Sequence, residues 1–161
     1  MEHRIHRHIE CVRNYLAACI RDILRRQEQH DQSKFSDEEL PTYLSLHKVN
    51  KMTYGSEEYR AEMAKHRPVF AHHYEHNSHH AEHFENGYRG MNLLDLLEMA
   101  CDWKASSLRH ADGDLFKSIE YNAKKYSYSD DLVAILTNTA KWLNDQDVYH
   151  KASESLRSAL S

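Results

Sequence analysis

The sequence predicts an all-α fold, and three observations carry that expectation. Glycine and proline are scarce, four and two in 161 residues, while Leu, Ala, Glu, Lys and Arg, which cost least in a helix, are plentiful. Apolar residues recur at three- and four-residue spacing in several long stretches, the period of one helix face. No stretch alternates apolar and polar residues over several positions as a half-buried strand would. A chain of this length is expected to form one compact domain, and its hydrophobic share of 40% suffices for one core.

The elements follow in order. Residues 3–28 read as one long helix whose apolar stripe, expected to be buried, is Ile5, Ile9, Val12, Leu16, Ile20, Ile23 and Leu24. Arg21, Arg25 and Arg26 gather at its C-terminal end, where cations suit the helix dipole. Ser36-Asp37-Glu38-Glu39 matches a capping box and predicts a helix start, with Pro41 in its first turns and a continuation to Lys48. Residues 49–55 read as a loop, and Ser56 as the cap of a short helix to about His66. Pro68 opens a histidine-rich helix that runs past His83, with Val69, Phe70, Tyr74 and Phe84 as its apolar contacts. Gly87 and Gly90 mark the next loop, and Asn92 caps an apolar helix from Leu93 to about Leu108. Residues 111–114 read as a turn and 115–125 as a helix. Ser129-Asp130-Asp131 caps a helix through Leu143, and a last helix over about 147–160 is expected on the outside.

Charge and cysteine usage narrow the function classes. A formal net charge of −4 counts against an extended nucleic-acid surface, which needs a basic excess, but is compatible with a local phosphate pocket. Cys11, Cys19 and Cys101 are odd in number and scattered, as expected of reduced thiols rather than a disulfide framework. The N-terminus has no apolar signal core and no apolar run is long enough to span a bilayer. A cytoplasmic protein without a membrane partner is the expectation.

The chemistry concentrates in three places. His72 to His83 holds six of the fourteen histidines in twelve residues. On a helix, His72, His76, His79 and His83 would share one stripe, and His73, Asn77 and His80 a neighbouring one. Two adjacent stripes of imidazole can present ligands to one metal or to a pair. The plainer reading is a solvated polar helix or a histidine-rich tract with adventitious metal affinity, and periodicity does not separate His72, His73 and His76. His30-Asp31 places an imidazole beside a carboxylate able to bridge two cations, with Lys34 placed to face a phosphate oxygen; the alternative is a turn in which Asp31 and Ser33 cap backbone amides. Glu98 and Asp102 are four apart in an apolar helix, where carboxylates are costly unless paired or metal-bound. The arginines of the first helix, or solvent, are their alternative partners. His8 adjoins Ile9 on the edge of the first stripe, where packing is the ordinary role of a histidine.

Read in order, His8, His30-Asp31, the histidine stretch and Asp102 resemble the His, His-Asp, Asp signature of the HD superfamily of metal-dependent phosphohydrolases. His30-Asp31-Gln32-Ser33-Lys34-Phe35 is similar to that superfamily's His-Asp-x-Gly-Lys element, with Ser33 in place of Gly. His79-His80-Ala81-Glu82 resembles the His-His-Glu of the HD-GYP branch, whose Gly-Tyr-Pro ending is not reproduced at Gly87-Tyr88-Arg89. Over about residues 8–143 the chain also resembles a group of small bacterial and phage-encoded proteins. They share His-Asp-x-Ser-Lys-Phe, Asn-x-His-His-x-Glu and Glu-Met-x-x-Asp-Trp elements, here His30 to Phe35, Asn77 to Glu82 and Glu98 to Trp103.

The resemblance implies a single HD-like helix bundle over 1–161, with a metal-site core at about 3–108 and supporting helices at about 114–160. It implies His8 as the first ligand, His30 and Asp31 as the central pair with Asp31 bridging, and Asp102 closing the first shell. His79 and His80, joined by His73 or His76, would serve a second metal, with Asn77, Glu82 and Glu98 orienting ligands. Asp31 and Lys34 are the expected catalytic residues. One or two divalent ions are implied, Mn, Fe, Co or Ni, with Mg or Zn as further candidates. The implied activity is hydrolysis of a phosphoester in a small molecule, a nucleotide first, with Lys34 or Arg109 offsetting phosphoryl charge. The rival readings are an HD-like di-iron oxygenase, a non-catalytic metal-stabilised nucleotide-binding protein of phage type, and a plain helical domain. A homodimer is a further implication, as is the host cytoplasm if the protein is phage-encoded.

Overall fold

Helix-forming residues and well-placed caps produce seven α-helices among the residues that the computed structural model describes: 2–46, 52–53, 56–108 and 113–159, with side chains up to residue 146. Most of the loop expected at 49–55, half of the turn expected at 111–114, Arg109, and the packing of residues 147–160 lie outside that description. Helix α1 is Glu2–Gln29, which contains neither glycine nor proline. Helix α2 is Leu40–Ser45, with Pro41 in its first turn. Helix α3, Glu57–Lys65, starts where Ser56 Oγ accepts the Tyr59 N–H at 3.1 Å. Helix α4 is Arg67–His76, opened by Pro68. Helix α5, Leu93–Ser107, has a full capping box: Asn92 Oδ1 accepts the Asp95 N–H at 3.1 Å, and Asp95 accepts the Asn92 N–H at 2.9 Å. Helix α6, Leu115–Tyr126, is capped by Asp114, which accepts the Phe116 N–H at 2.8 Å. Helix α7 is Asp130–Ala159. Among the described residues, short 3-10 turns lie at Gln32–Phe35, Ala81–His83 and Gly87–Gly90. No strand occurs among the described residues, so the all-α expectation holds.

Three boundaries differ from the pattern in the sequence, one of them the end of α4 at His76. The last two expected helices are one, because nothing between Asp130 and Ala159 breaks a helix. Ser36 Oγ does accept the Glu39 N–H, at 3.3 Å, but α2 starts only at Leu40, and Glu39 is turned inward.

The core sits in the C-terminal half. Met99 and Ala100 of α5, Leu115 and Ile119 of α6, Tyr128, and Leu132, Leu136 and Ala140 of α7 form one buried cluster, with Trp103, Phe116 and Leu143 packed against it. Gly90 approaches the Phe84 ring so closely that an added Cβ would lie 2.7 Å from Phe84 Cβ. The stripe of α1 is not part of this core, contrary to expectation: no residue of α1 is buried, and Leu16 is 57% exposed. The reason is attachment by one end. Helix α1 is fixed to α5 by Arg26 in its last turn, and apolar periodicity does not say what covers a face. No helix among the described residues is long and apolar enough to cross a membrane.

The core assignment predicts unequal costs for neighbouring residues of α7. Leu136→Ala, at a buried position, should cost about 2–4 kcal/mol in chemical denaturation. Ile135→Ala, at an exposed one, should stay within about 0.5 kcal/mol.

Candidate metal centre

Arg26 sets the frame. Its Nε donates to Asp22 at 2.8 Å, and its Nη1 lies 2.9 Å from both Asp95 Oδ1 and Glu98 Oε2 on α5. The same Nη1 reaches Ser78 Oγ at 3.3 Å, and Ser78 donates to Asp95 at 2.7 Å. The end of α1, the first turns of α5 and the segment after α4 are thus tied at one point. Glu98 therefore has the arginine partner that the sequence offered as an alternative.

One turn beyond Arg26 the helix ends, and Asp31 takes up left-handed backbone at φ 57°, ψ 16°. Few side chains tolerate that region; Asp is among the more tolerant. The Asp31 side chain caps no amide. His30 Nδ1 bonds Glu98 Oε1 at 2.9 Å, which turns its Nε2 toward Asp31 Oδ2 at 3.3 Å and Asp102 Oδ1 at 3.8 Å. Bonds to Asp102, Asp31 and Glu98, outweighing burial, push the His30 imidazole up to about 11.

The histidine stretch is not one helix. Helix α4 stops at His76 because the Asn77 side-chain amide donates to the His73 carbonyl at 2.7 Å, the bond that the backbone would make if the helix continued. Asn77 adopts extended backbone, and His79 and His80 come from the turn that follows rather than from α4. The predicted stripe of His73, Asn77 and His80 nevertheless meets, because the turn folds His80 back: His73 Nε2 lies 3.1 Å from His80 Nε2.

Below these residues is Glu39, fully buried, accepting from His72 Nδ1 at 2.7 Å and His73 Nδ1 at 2.9 Å. A carboxylate at Nδ1 fixes the proton there, so His73 Nε2 carries a lone pair. That lone pair faces Asp31 Oδ1 at 3.2 Å, and His79 Nε2 lies 3.4 Å from the same oxygen. Asp31 Oδ1 and His79 Nε2 are both buried with no hydrogen-bond partner. Asp31, His73, His79 and His80 can each offer one ligand atom to a common point, as can His30, Asp31 and Asp102, and also His30, His79 and Glu98. Asp31 belongs to the first two sets, one oxygen facing His73 and His79 and the other facing His30.

The charges follow from these bonds: His79, like His30, is pushed up against burial, by Asp31 and Glu98. Burial alone would raise the Asp31 carboxyl, but bonds from His30, His73, His79 and Lys34 hold it far below the usual carboxylate range. Glu98 and Asp102 are also lowered against burial, Glu98 by His30, His79 and Arg26 and Asp102 chiefly by His30. Burial, then the neighbouring His79 and His73, pushes His80 down to about 3. His80 therefore keeps a free lone pair at neutral pH.

Of the residues singled out from sequence, His30, Asp31, His73, His79, His80 and Asp102 come together, with Lys34 Nζ bonded to Asp31 Oδ2. His8 does not join them: it is exposed, and twenty-two residues of helical rise from His30 amount to ~33 Å. His76 is also outside, exposed, with Nδ1 on the His72 carbonyl at 2.8 Å. Asn77 packs under His73 as expected, whereas Glu82 pairs with Lys125 and Tyr126. Glu39 was hidden by the capping-box reading of the same residue. No local signal distinguishes an acid that caps a helix from one that supports two histidines 33 and 34 positions later.

Of these residues His79, His80 and Asp102 line a cavity of about 840 Å³, together with Lys34, Tyr43 and Trp103 and with Lys117 and Lys125 of α6 on its wall. Lys34 Nζ lies 5.0 Å above the Tyr43 ring.

Residues 1–145 match a family model described as a family of unknown function, DUF5662. No curated protein and no solved structure matches the chain.

The position of Glu39 gives a direct test. Removing a carboxylate that orients ligand imidazoles typically lowers metal affinity ~10–100-fold, and Glu39→Ala should do so in a competitive chelator titration with Mn or Zn. Glu39→Gln, which keeps an acceptor, should lose less. Equal affinity of wild type and a folded Glu39→Ala variant would separate Glu39 from the centre.

Proposed function

Because the chain belongs to DUF5662, whose function is unknown, we propose its activity from the site itself: a metal-dependent phosphohydrolase that cleaves a phosphoester of a small molecule, with nucleotides as the first substrate class. The observation that carries this reading is the pair of buried, unpartnered atoms, Asp31 Oδ1 and His79 Nε2, among other lone-pair donors. An unsatisfied buried polar group costs about 1–3 kcal/mol, so such a cluster calls for a cation. The spacings of 3.1, 3.2 and 3.4 Å match the ~3.0–3.4 Å separation of ligand atoms that each lie ~2.1 Å from one ion.

Asp31, His73, His79 and His80 would hold one ion. His30, Asp102 and the other oxygen of Asp31 would hold a second. Three imidazoles in one set favour Mn, Fe, Co, Ni or Zn over Mg. A bound ion would supply Lewis acidity and a water acidified toward neutrality. The chain's own residues do the rest. Glu39 and Glu98 fix the ring orientation of His73 and His30. The Lys34 ammonium, at the cavity wall, offsets negative charge gathering on the phosphoryl group. Tyr43 and Trp103 offer flat apolar surface to a planar ring, and the cavity volume is in the range of small-molecule sites.

The test is metal content by mass spectrometry on protein without a histidine tag, beside Asp31→Ala. One to two transition-metal equivalents are expected in wild type and at least a tenfold loss in the variant. The loaded wild type should then release phosphate from a member of a nucleotide panel, with kcat lowered ~100-fold in Lys34→Ala. Iron-dependent oxygen uptake without phosphate release would replace hydrolysis with oxygenation. Tight nucleotide binding without turnover under any of these metals would make the protein a binding module. Wild type that neither carries nor takes up metal, with stability indifferent to chelator, would end the metal reading.

A further inference from the structure

Helix α6 breaks its own buried stripe. Its buried residues are Leu115, Ile119 and Asn122, at spacings of four and three. An amide thus stands where a third aliphatic side chain would complete the pattern. Asn122 is 5% exposed. Asparagine is a weak helix former, and its burial costs stability unless its polar atoms are bonded.

One of those atoms is bonded. Asn122 Nδ2 donates to the Ser118 carbonyl at 3.0 Å. In a helix that carbonyl already accepts the Asn122 backbone N–H, so the second bond is not needed to satisfy it; it orients the amide. A carbonyl only accepts, so the nitrogen must be the atom turned back and Oδ1 the atom turned away. Oδ1 has no hydrogen-bond partner among the described residues. Nor is it sealed in protein as Asp31 Oδ1 and His79 Nε2 are, and Asn122 lines the same cavity as His79, His80 and Asp102.

We infer that Asn122 is a specificity residue, its Oδ1 accepting a hydrogen bond from an N–H or O–H group on the part of the substrate that does not react. The assignment rests on the proposed nucleotide site and narrows its substrate. A nucleotide offers such a donor from two sources, an exocyclic amino group of the base or a hydroxyl of the ribose. A ligand with only a carbonyl at that point sets two acceptors against each other and cuts Oδ1 off from water. The surroundings suit a planar ring. Tyr126, one turn further along α6, also lines the cavity; it stacks on Tyr128 at 5.8 Å between ring centroids and donates its hydroxyl to Glu82. Met99 and Trp103 of α5 lie on the same wall.

The probes are nucleoside 5′-monophosphates offered to the Mn-loaded full chain. Adenosine is compared with inosine, and cytidine with uridine, pairs that exchange amino for carbonyl at one ring position. Adenosine is also compared with 2′-deoxyadenosine and 3′-deoxyadenosine. The readout is kcat/KM where phosphate is released, and Kd by calorimetry where the nucleotide is only bound. Wild type should prefer amino over carbonyl, or ribose over a deoxyribose, by at least about tenfold; the pair that shows the preference identifies the source. Asn122→Leu, of similar size, and Asn122→Ala should each erase it, with metal content equal to wild type showing that the variant is folded. Wild type without either preference, or a preference that survives in a folded variant, would overturn the assignment. Wild type that hydrolyses p-nitrophenyl phosphate but neither binds nor hydrolyses any of these nucleotides would also overturn it while leaving the hydrolase standing. The preference in binding without turnover would uphold Asn122 and remove the hydrolase.

Discussion

The carboxylate of Asp31 is the constraint on which the site depends. One oxygen is closed off from water with His73 and His79 at 3.2 and 3.4 Å; the other is held by His30 and Lys34. A buried charge is stable only where opposite charge and directed bonds surround it, so four segments of chain must deliver their groups to one place. The left-handed backbone at Asp31 makes the first delivery possible, turning the chain sharply at the end of α1. The strain is modest for Asp, and strain of this kind persists at functional sites because the surrounding contacts over-determine it.

Delivery relies on polar ties as much as on the apolar core. The packed cluster of α5, α6 and α7 fixes α5, which carries Asp95, Glu98 and Asp102. Arg26 then anchors α1 and the turn at Ser78 to that helix. Glu39, reaching from the segment before α2, locks two histidines of α4 from behind. The result is a His, Asp and Glu cluster whose imidazoles are oriented by carboxylates one bond further out, a grouping that could hold a metal ion. His79, His80 and Asp102 reach the cavity wall, beside lysines and aromatic rings.

Helix α1 divides its work along its length. Its last turns serve the site, while the apolar strip before them faces outward. The sequence pattern alone suggested a stripe buried in the core, whereas no residue of α1 is buried.

Composition and periodicity were enough to determine the helical class, and single cap residues marked several helix starts. Helix propensity, Asn92 and Ser56 act within a few positions of themselves, and such local physics is legible in a linear chain. The grouping of His30, Asp31, His73, His79, His80 and Asp102 was anticipated by the resemblance to a His, His-Asp, Asp signature, which also named His8 and His76, two residues that stand apart. Tertiary structure alone decided the rest. Whether α4 continued past His76 turned on one amide of Asn77 finding a carbonyl, and that bond displaced His79 and His80 from the helix while still bringing His80 to His73. His8 was excluded by the straight rise of α1, and Glu39 was recruited by histidines more than thirty residues away. These outcomes depend on which faces meet in space, and side-chain spacing along a helix records a face without recording its partner.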